Sequence, residues 1–240
     1  MTPVAITRLA RLTRCFRSIA ISPLPHRPRG WSTATTCSGY HTTPVAPAGF
    51  TYLPDFLSKK EQLCLTKAAL AHLDNVGPTA ARRRQKRMIA SLSISTDEYG
   101  FLSDESCYEF EHGHFDGVIR HYREARITDA QWAAIDNEGA LITILGRVKS
   151  LLPPVETQCH ILHLSSDGEI LPHVDNVDAS GSIILGVSLG SSRVLRLESV
   201  DKQLTDDGSP ACYELLLEPG SCYIQRLATF LSGDFDFTKE

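Results

Sequence analysis

The sequence predicts an α+β chain, with helices first and then many short antiparallel strands arranged as a sandwich or jelly roll. Two capped helical stretches lie before residue 155. Beyond it the texture changes to short apolar or alternating runs punctuated by Gly, Ser and Pro-Gly turns. Once an atypical N-terminal segment of the 240 residues is set aside, roughly 190 remain, a length that suits one domain with a sizeable core.

The first helix is marked by Phe56-Leu57 ahead of Ser58-Lys59-Lys60-Glu61, a capping box preceded by apolar residues. Leu63, Leu70 and Leu73 continue at helical spacing, which predicts a helix over 59–73, ended by Gly77-Pro78. Arg82-Arg83-Arg84-Gln85-Lys86-Arg87 follows as a basic run, read either as a solvated loop or as a phosphate-binding patch. Thr128-Asp129-Ala130-Gln131 opens a long second helix, with Trp132, Ile135, Ile142, Leu145 and Val148 on one stripe and Gly139 as the expected kink. Pro153-Pro154 stops it. The predicted strands are Thr157–Leu164, Gly181–Leu189, Arg193–Glu198, Tyr213–Glu218 and Ser221–Gln225.

Residues 1–54 hold six arginines and no acid, the first acidic residue being Asp55. Arg8, Arg11, Arg14 and Arg17 fall along one side of a helix and Leu9, Leu12, Phe16 and Ile19 along the other. Ser and Thr then enrich the stretch from Trp31 to Thr43, which is the pattern of a mitochondrial transit peptide. Residues 1–45 are therefore expected to be an address, with a basic disordered tail as the bland alternative, and 49–240 the folded domain. The remainder carries 18 basic against 28 acidic residues, a balance that argues against a protein held on nucleic acid by bulk charge. No apolar run is long enough to span a membrane. Seven cysteines without a C-x-x-C spacing read as buried free thiols of a reducing compartment.

Three His-x-Asp triplets occur: His72-Leu73-Asp74, His114-Phe115-Asp116 and His173-Val174-Asp175. On a helix, residues two apart point about 200° from one another, so His72 and Asp74 cannot share a metal. His173 and Asp175 follow Gly-Glu-Ile-Leu-Pro into an extended stretch, where residues two apart share a face. An imidazole and a carboxylate so placed are two members of the two-histidine, one-carboxylate set that holds Fe(II); polar residues at a strand end are the alternative. His112, His114 and His121 read as a polar strand without a further ligand at a suitable spacing, and Arg196 as a support of the sheet.

The order of Pro172-His173-Val174-Asp175, the apolar strands after it and Leu215-Leu216-Leu217-Glu218-Pro219-Gly220-Ser221-Cys222-Tyr223-Ile224 resembles the AlkB-like Fe(II)/2-oxoglutarate-dependent dioxygenases, above all their mitochondrial branch. The aromatic, His- and acid-rich region Tyr108–Glu124 is also similar to the family's segment before its long helix. The resemblance implies a double-stranded β-helix with helices packed on it. It also implies His173 and Asp175 as the first two iron ligands, and Tyr223 as the hydrogen-bond partner of 2-oxoglutarate. A half-buried strand aromatic is the alternative for Tyr223.

The resemblance breaks after Arg226. The family's third ligand is a histidine in a Phe-Ser/Thr-His-Glu setting, where this chain reads Phe237-Thr238-Lys239-Glu240. No histidine follows His173, and the arginines expected to clamp the 2-oxoglutarate carboxylate are missing. A protonated lysine has no lone pair for iron, and an unclamped dianion loses its bidentate partner. The expectation is a C-terminally truncated domain whose last strands are absent, leaving an open edge beside the site. Asp234, Asp236 or Glu240 as a replacement ligand is the least favoured alternative.

The function implied is Fe(II)- and 2-oxoglutarate-dependent hydroxylation or demethylation of an unidentified substrate, protein or RNA, in the mitochondrial matrix. The resemblance ties it to fatty-acid metabolism and programmed necrosis. The competing readings are a catalytically inactive form or regulatory scaffold, and a nucleic-acid demethylase that the acidic body opposes.

Overall fold

The computed structural model describes residues 46–77, 79, 83, 87, 105–136, 139–174, 181–198 and 211–226, together with the backbone of 15–21 and 41–42. The strands are β1 (Cys15–Ile21), β2 (His41–Thr42), β3 (Phe50–Leu53), β4 (Glu111–Gly113), β5 (Ile119–Ile127), β6 (Thr157–Ile170), β7 (Ile183–Leu189), β8 (Arg193–Glu198), β9 (Ala211–Leu217) and β10 (Cys222–Arg226). The helices are α1 (Lys59–Val76), α2 (Asp129–Ile135) and α3 (Ala140–Ser150).

Both capping boxes form as the sequence predicts. Ser58 accepts from the Glu61 amide while the Glu61 carboxylate accepts from the Ser58 amide, so two donors at the start of α1 are satisfied reciprocally. Thr128 and Gln131 repeat the arrangement at α2. The single long helix expected after Thr128 is instead two. Gly139 sits at φ 75°, a left-handed conformation open to glycine and costly to other residues, and the chain restarts there as α3. Asp136 then accepts from the Ile142 amide at 2.9 Å and satisfies one of the new amino-terminal donors. The restart re-phases the stripe: Leu141, Ile144, Leu145 and Val148 are buried, whereas Ile142, expected on the buried face, is 57% exposed.

The seven-stranded sheet runs β3-β10-β7-β1-β6-β5-β4, and a three-stranded sheet runs β2-β9-β8. One face of the large sheet carries Ala125 and Ile127 of β5, Cys159 and Ile161 of β6, Leu185 and Val187 of β7, and Cys222 and Ile224 of β10. They pack against Leu65, Leu70 and Leu73 of α1, Trp132 of α2 and the buried stripe of α3 in one core. Arg147 clasps the two long helices by donating to Glu61 and, at 2.7 Å, to the Phe56 carbonyl. The other face of the large sheet holds a smaller cluster of Tyr122, Leu162 and Leu164 with Ile119 beside it.

The α+β expectation holds, but the two sheets do not close into a barrel among the described residues. One further feature departs from the sequence reading. Cys15–Ile21, expected on a helical spacing, is a strand that pairs parallel with β6 along one edge and with β7 along the other. Backbone pairing on two sides, which no local pattern reports, outweighs the helical spacing of its arginines. Among the described residues no helix is long and apolar enough to cross a membrane.

Candidate metal centre

His173 follows the end of β6 in an exposed turn. The Leu171 amide donates to the Val118 carbonyl at 2.8 Å, which ties this turn to the β4–β5 hairpin. The His173 Nδ1 lies 2.8 Å from the Leu171 carbonyl oxygen. A carbonyl only accepts, so Nδ1 is the donor in this contact, and the Leu171 carbonyl orients the ring. Asp175 lies outside the described residues. Its sharing of a face with His173 therefore stays an expectation.

Tyr223 stands on β10 on the face opposite Cys222 and Ile224. Its ring stacks on Phe50 at 5.9 Å and 18°, and Phe50 in turn meets Tyr213 of the three-stranded sheet edge-on at 5.9 Å. It thus sits where the two sheets face one another. Gly186, its register partner on β7, leaves the room: a Cβ there would run into the Tyr223 ring. The Pro219-Gly220 turn that starts β10 is fixed on the segment leading into α1, because the Leu57 amide donates to the Gly220 carbonyl at 2.9 Å. Along the sheet, Tyr223 shares a row with Gly186, Ser18 and His160, whereas His173 lies beyond the far end of β6. The connection over 171–182 runs back from that far end to the start of β7, and its middle, with Asp175, falls outside the described residues.

The other two triplets serve the fold. His72 Nε2 lies 2.9 Å from the Arg126 carbonyl, while Asp74 takes the Arg123 guanidinium at 2.5 Å. His114-Phe115-Asp116 is the tip of the β4–β5 hairpin, with the Gly117 amide donating to the His114 carbonyl. Asp116 accepts from the Val118 amide at 2.9 Å and lies 2.8 Å from His114 Nδ1, contacts that hold its carboxyl below the usual carboxylate range. His121 sits at φ 48° beside a bulge in β5, its Nδ1 2.7 Å from Asp167, and its ring meets His112 at 5.8 Å. Among the described residues no three His, Cys, Asp or Glu side chains are grouped to hold a metal. Arg83 and Arg87, the described members of the basic run, are both exposed. Arg196 pairs with Glu198 at 2.8 Å on β8, in keeping with a support of the sheet.

One polar cluster escaped the sequence reading. His163 and Arg123 are direct register partners on β6 and β5, and His163 is 2% exposed. Tyr108 and Phe110 meet the His163 ring edge-on, each at 5.0 Å, and Arg123 lies 4.8 Å over the Tyr108 ring. Burial, and then the positive charges of Arg123 and Arg193, push His163 down to about 3. Desolvation raises Tyr108 to about 12. In the sequence His163 stands inside an apolar run, where a lone polar residue reads as strand filler.

No protein-family model matches the chain. Two curated proteins do. Over 134 residues the chain is 37% identical to the alpha-ketoglutarate-dependent dioxygenase alkB homolog 7, mitochondrial, of Mus musculus, covering 55% of this chain and 53% of that protein. Over 155 residues it is 36% identical to the Bos taurus protein of the same name, covering 61% of this chain and 63% of that one. The chain thus spans between about half and just under two thirds of these relatives. The chain is thus similar to two proteins named as alpha-ketoglutarate-dependent dioxygenases of the alkB type. Within that class its relatives are of the alkB homolog 7 branch.

Of the donors expected for iron, His173 is oriented by the Leu171 carbonyl, Asp175 lies outside the described residues, and among the described residues no three donor side chains are grouped.

Proposed function

We infer that this chain is a mitochondrial member of the AlkB-like class, that His173 and Asp175 bind Fe(II), and that Tyr223 hydrogen-bonds 2-oxoglutarate. The similarity to two proteins named mitochondrial dioxygenases carries the reading, and the contact of His173 Nδ1 with the Leu171 carbonyl supports it. When bound, ferrous iron and 2-oxoglutarate supply oxygen-dependent oxidation of a C–H bond. The chain's own part is to hold the imidazole in one tautomer through Leu171 and to seat the Tyr223 ring between the sheets through Phe50 and Gly186. The substrate class proposed is protein or RNA, the compartment the matrix, and links to fatty-acid metabolism and programmed necrosis belong to the same proposal. A jelly roll is the finer architecture that goes with this reading.

A second reading, a scaffold without turnover, is favoured by the described residues, among which no three donor side chains are grouped to hold a metal. Anaerobic Fe(II) titration followed by succinate measurement separates the two. The 240-residue chain is expected to bind iron weakly, with His173→Ala and Asp175→Ala each abolishing the binding that remains, because one strong donor alone is outcompeted by water. Succinate from 2-oxoglutarate stays at background under the scaffold reading and rises with added Fe(II) under the first. Unchanged iron stoichiometry in both variants defeats the site assignment, and robust succinate release defeats the scaffold.

A further inference from the structure

His112 and His121 face one another across the β4–β5 ladder, between the register pairs Glu111–Tyr122 and Gly113–Arg120. Their ring centroids lie 5.8 Å apart. That separation has a chemical meaning. With metal–nitrogen bonds of about 2.0–2.1 Å, two imidazoles on one four-coordinate ion place their centroids roughly 5–6 Å apart. His112 is exposed and the His121 side chain is 40% exposed, so an ion can reach the pair from solvent.

His121 is also held in place from behind. It stands at the β5 bulge with φ 48°, a left-handed conformation costly to a residue that carries a Cβ. Its Nδ1 lies 2.7 Å from the Asp167 carboxylate, which in turn accepts from the Ser165 hydroxyl at 2.5 Å. The Ser165 hydroxyl, and then the His121 ring, hold that carboxyl below the usual carboxylate range. An ionised carboxylate only accepts, so Nδ1 is the donor in this contact, and in the neutral ring the accepting nitrogen is then Nε2. A carboxylate behind a histidine in this way orients a metal-binding ring.

We propose that His112 and His121 form a binding site for one divalent cation of the zinc class, with Asp167 as the positioning residue behind His121 and water in the remaining positions. Imidazole nitrogen selects zinc and its neighbours over magnesium and calcium. Two protein donors agree with the absence of a three-donor group among the described residues. β4 is a three-residue strand at the edge of the large sheet, exposed along its length, so an ion bound to both histidines pins it to β5. The site uses different residues from the candidate iron donors, and it stands whether or not iron binds at His173.

Zinc titration of the full 240-residue chain, followed by NMR of the histidine ring nitrogens, tests it. Zinc alone is expected to shift the ring nitrogens of His112 and His121. It should also slow exchange of the His114 amide, which donates to the Ile119 carbonyl within the hairpin, at least about threefold. Magnesium at the same concentration should do neither. His112→Phe keeps a ring without a donor nitrogen, and His121→Gly keeps the left-handed backbone. Each is expected to weaken zinc binding at least about tenfold with circular dichroism unchanged, and Asp167→Asn to weaken it by about tenfold. Zinc affinity retained in His112→Phe or His121→Gly, or an equal response to magnesium, overturns the site. Shifts confined to His173 would assign zinc to the candidate iron centre and overturn it as well. Unchanged affinity in Asp167→Asn overturns the positioning role.

Discussion

Across the β5–β6 pair a permanent cation, Arg123, faces an imidazole that burial keeps neutral, His163. The folded chain therefore takes no proton at His163 until about pH 3, whereas the unfolded chain takes one near 6.5. The contribution to stability is complete above pH 6.5 and is lost as pH falls from there toward 3. The difference is worth about 5 kcal/mol. Urea unfolding of wild type and His163→Leu at several pH values between 7.5 and 4 checks this. The variant should lack that part of the slope, and parallel curves would show that His163 does not carry it. Gly186 offers a second residue-scale expectation. Gly186→Ala drives a methyl into the Tyr223 ring, so it should weaken 2-oxoglutarate binding at least as much as Tyr223→Phe. Calorimetric titration of both variants, with circular dichroism as the fold control, decides it. The sequence made His173 legible because its neighbours carry a pattern; His163 has none, and only its partner across the sheet gives it meaning.

Among the elements, those whose cause is local were legible. The boxes at Ser58 and Thr128 set the starts of α1 and α2, although α1 continues three residues past the predicted stop, to Val76. The hairpin of β4 and β5 was read only as a polar stretch. The reason is the bulge between Arg120 and Tyr122: Ile119 and Tyr122 face the small cluster while Ala125 and Ile127 face the main core, so no single alternation runs through β5. The break at Gly139 was half legible, as a kink rather than a restart. Nothing crowds a Cβ at that position, so only backbone strain resists substitution. Gly139→Ala should cost about 1–2 kcal/mol and Gly139→Asn clearly less, measured by chemical denaturation. Equal stability of the three chains would place the cause of the break elsewhere.

For the whole molecule, the α+β class was readable from the order of the patterns along the chain, but not that five strands, β1 to β5, come before α2. The sheet order was not, since β1 finds its partners more than a hundred residues away and local spacing carries no trace of them. The candidate site is legible to the same degree: the Pro172–Asp175 motif and Tyr223 are visible in sequence, while the path between them depends on the connection over 171–182. The address reading makes its own prediction. Residues 1–45 fused to a fluorescent reporter should enter mitochondria, because their arginine face is continuous and no acid interrupts it. A diffuse cytosolic signal would count against it.

The parallel strand β1 also sets a timetable. It is made early, yet its two partners are complete only once Leu189 has been added. At ~5–20 residues per second, the ribosome needs roughly 10–35 s to supply them. Closing a loop of that length is slow as well, so the centre of the sheet zips last. Until then Cys15–Ile21 has no sheet to join, and any receptor that reads the arginine-rich segment competes with an unfinished chain rather than with a folded one.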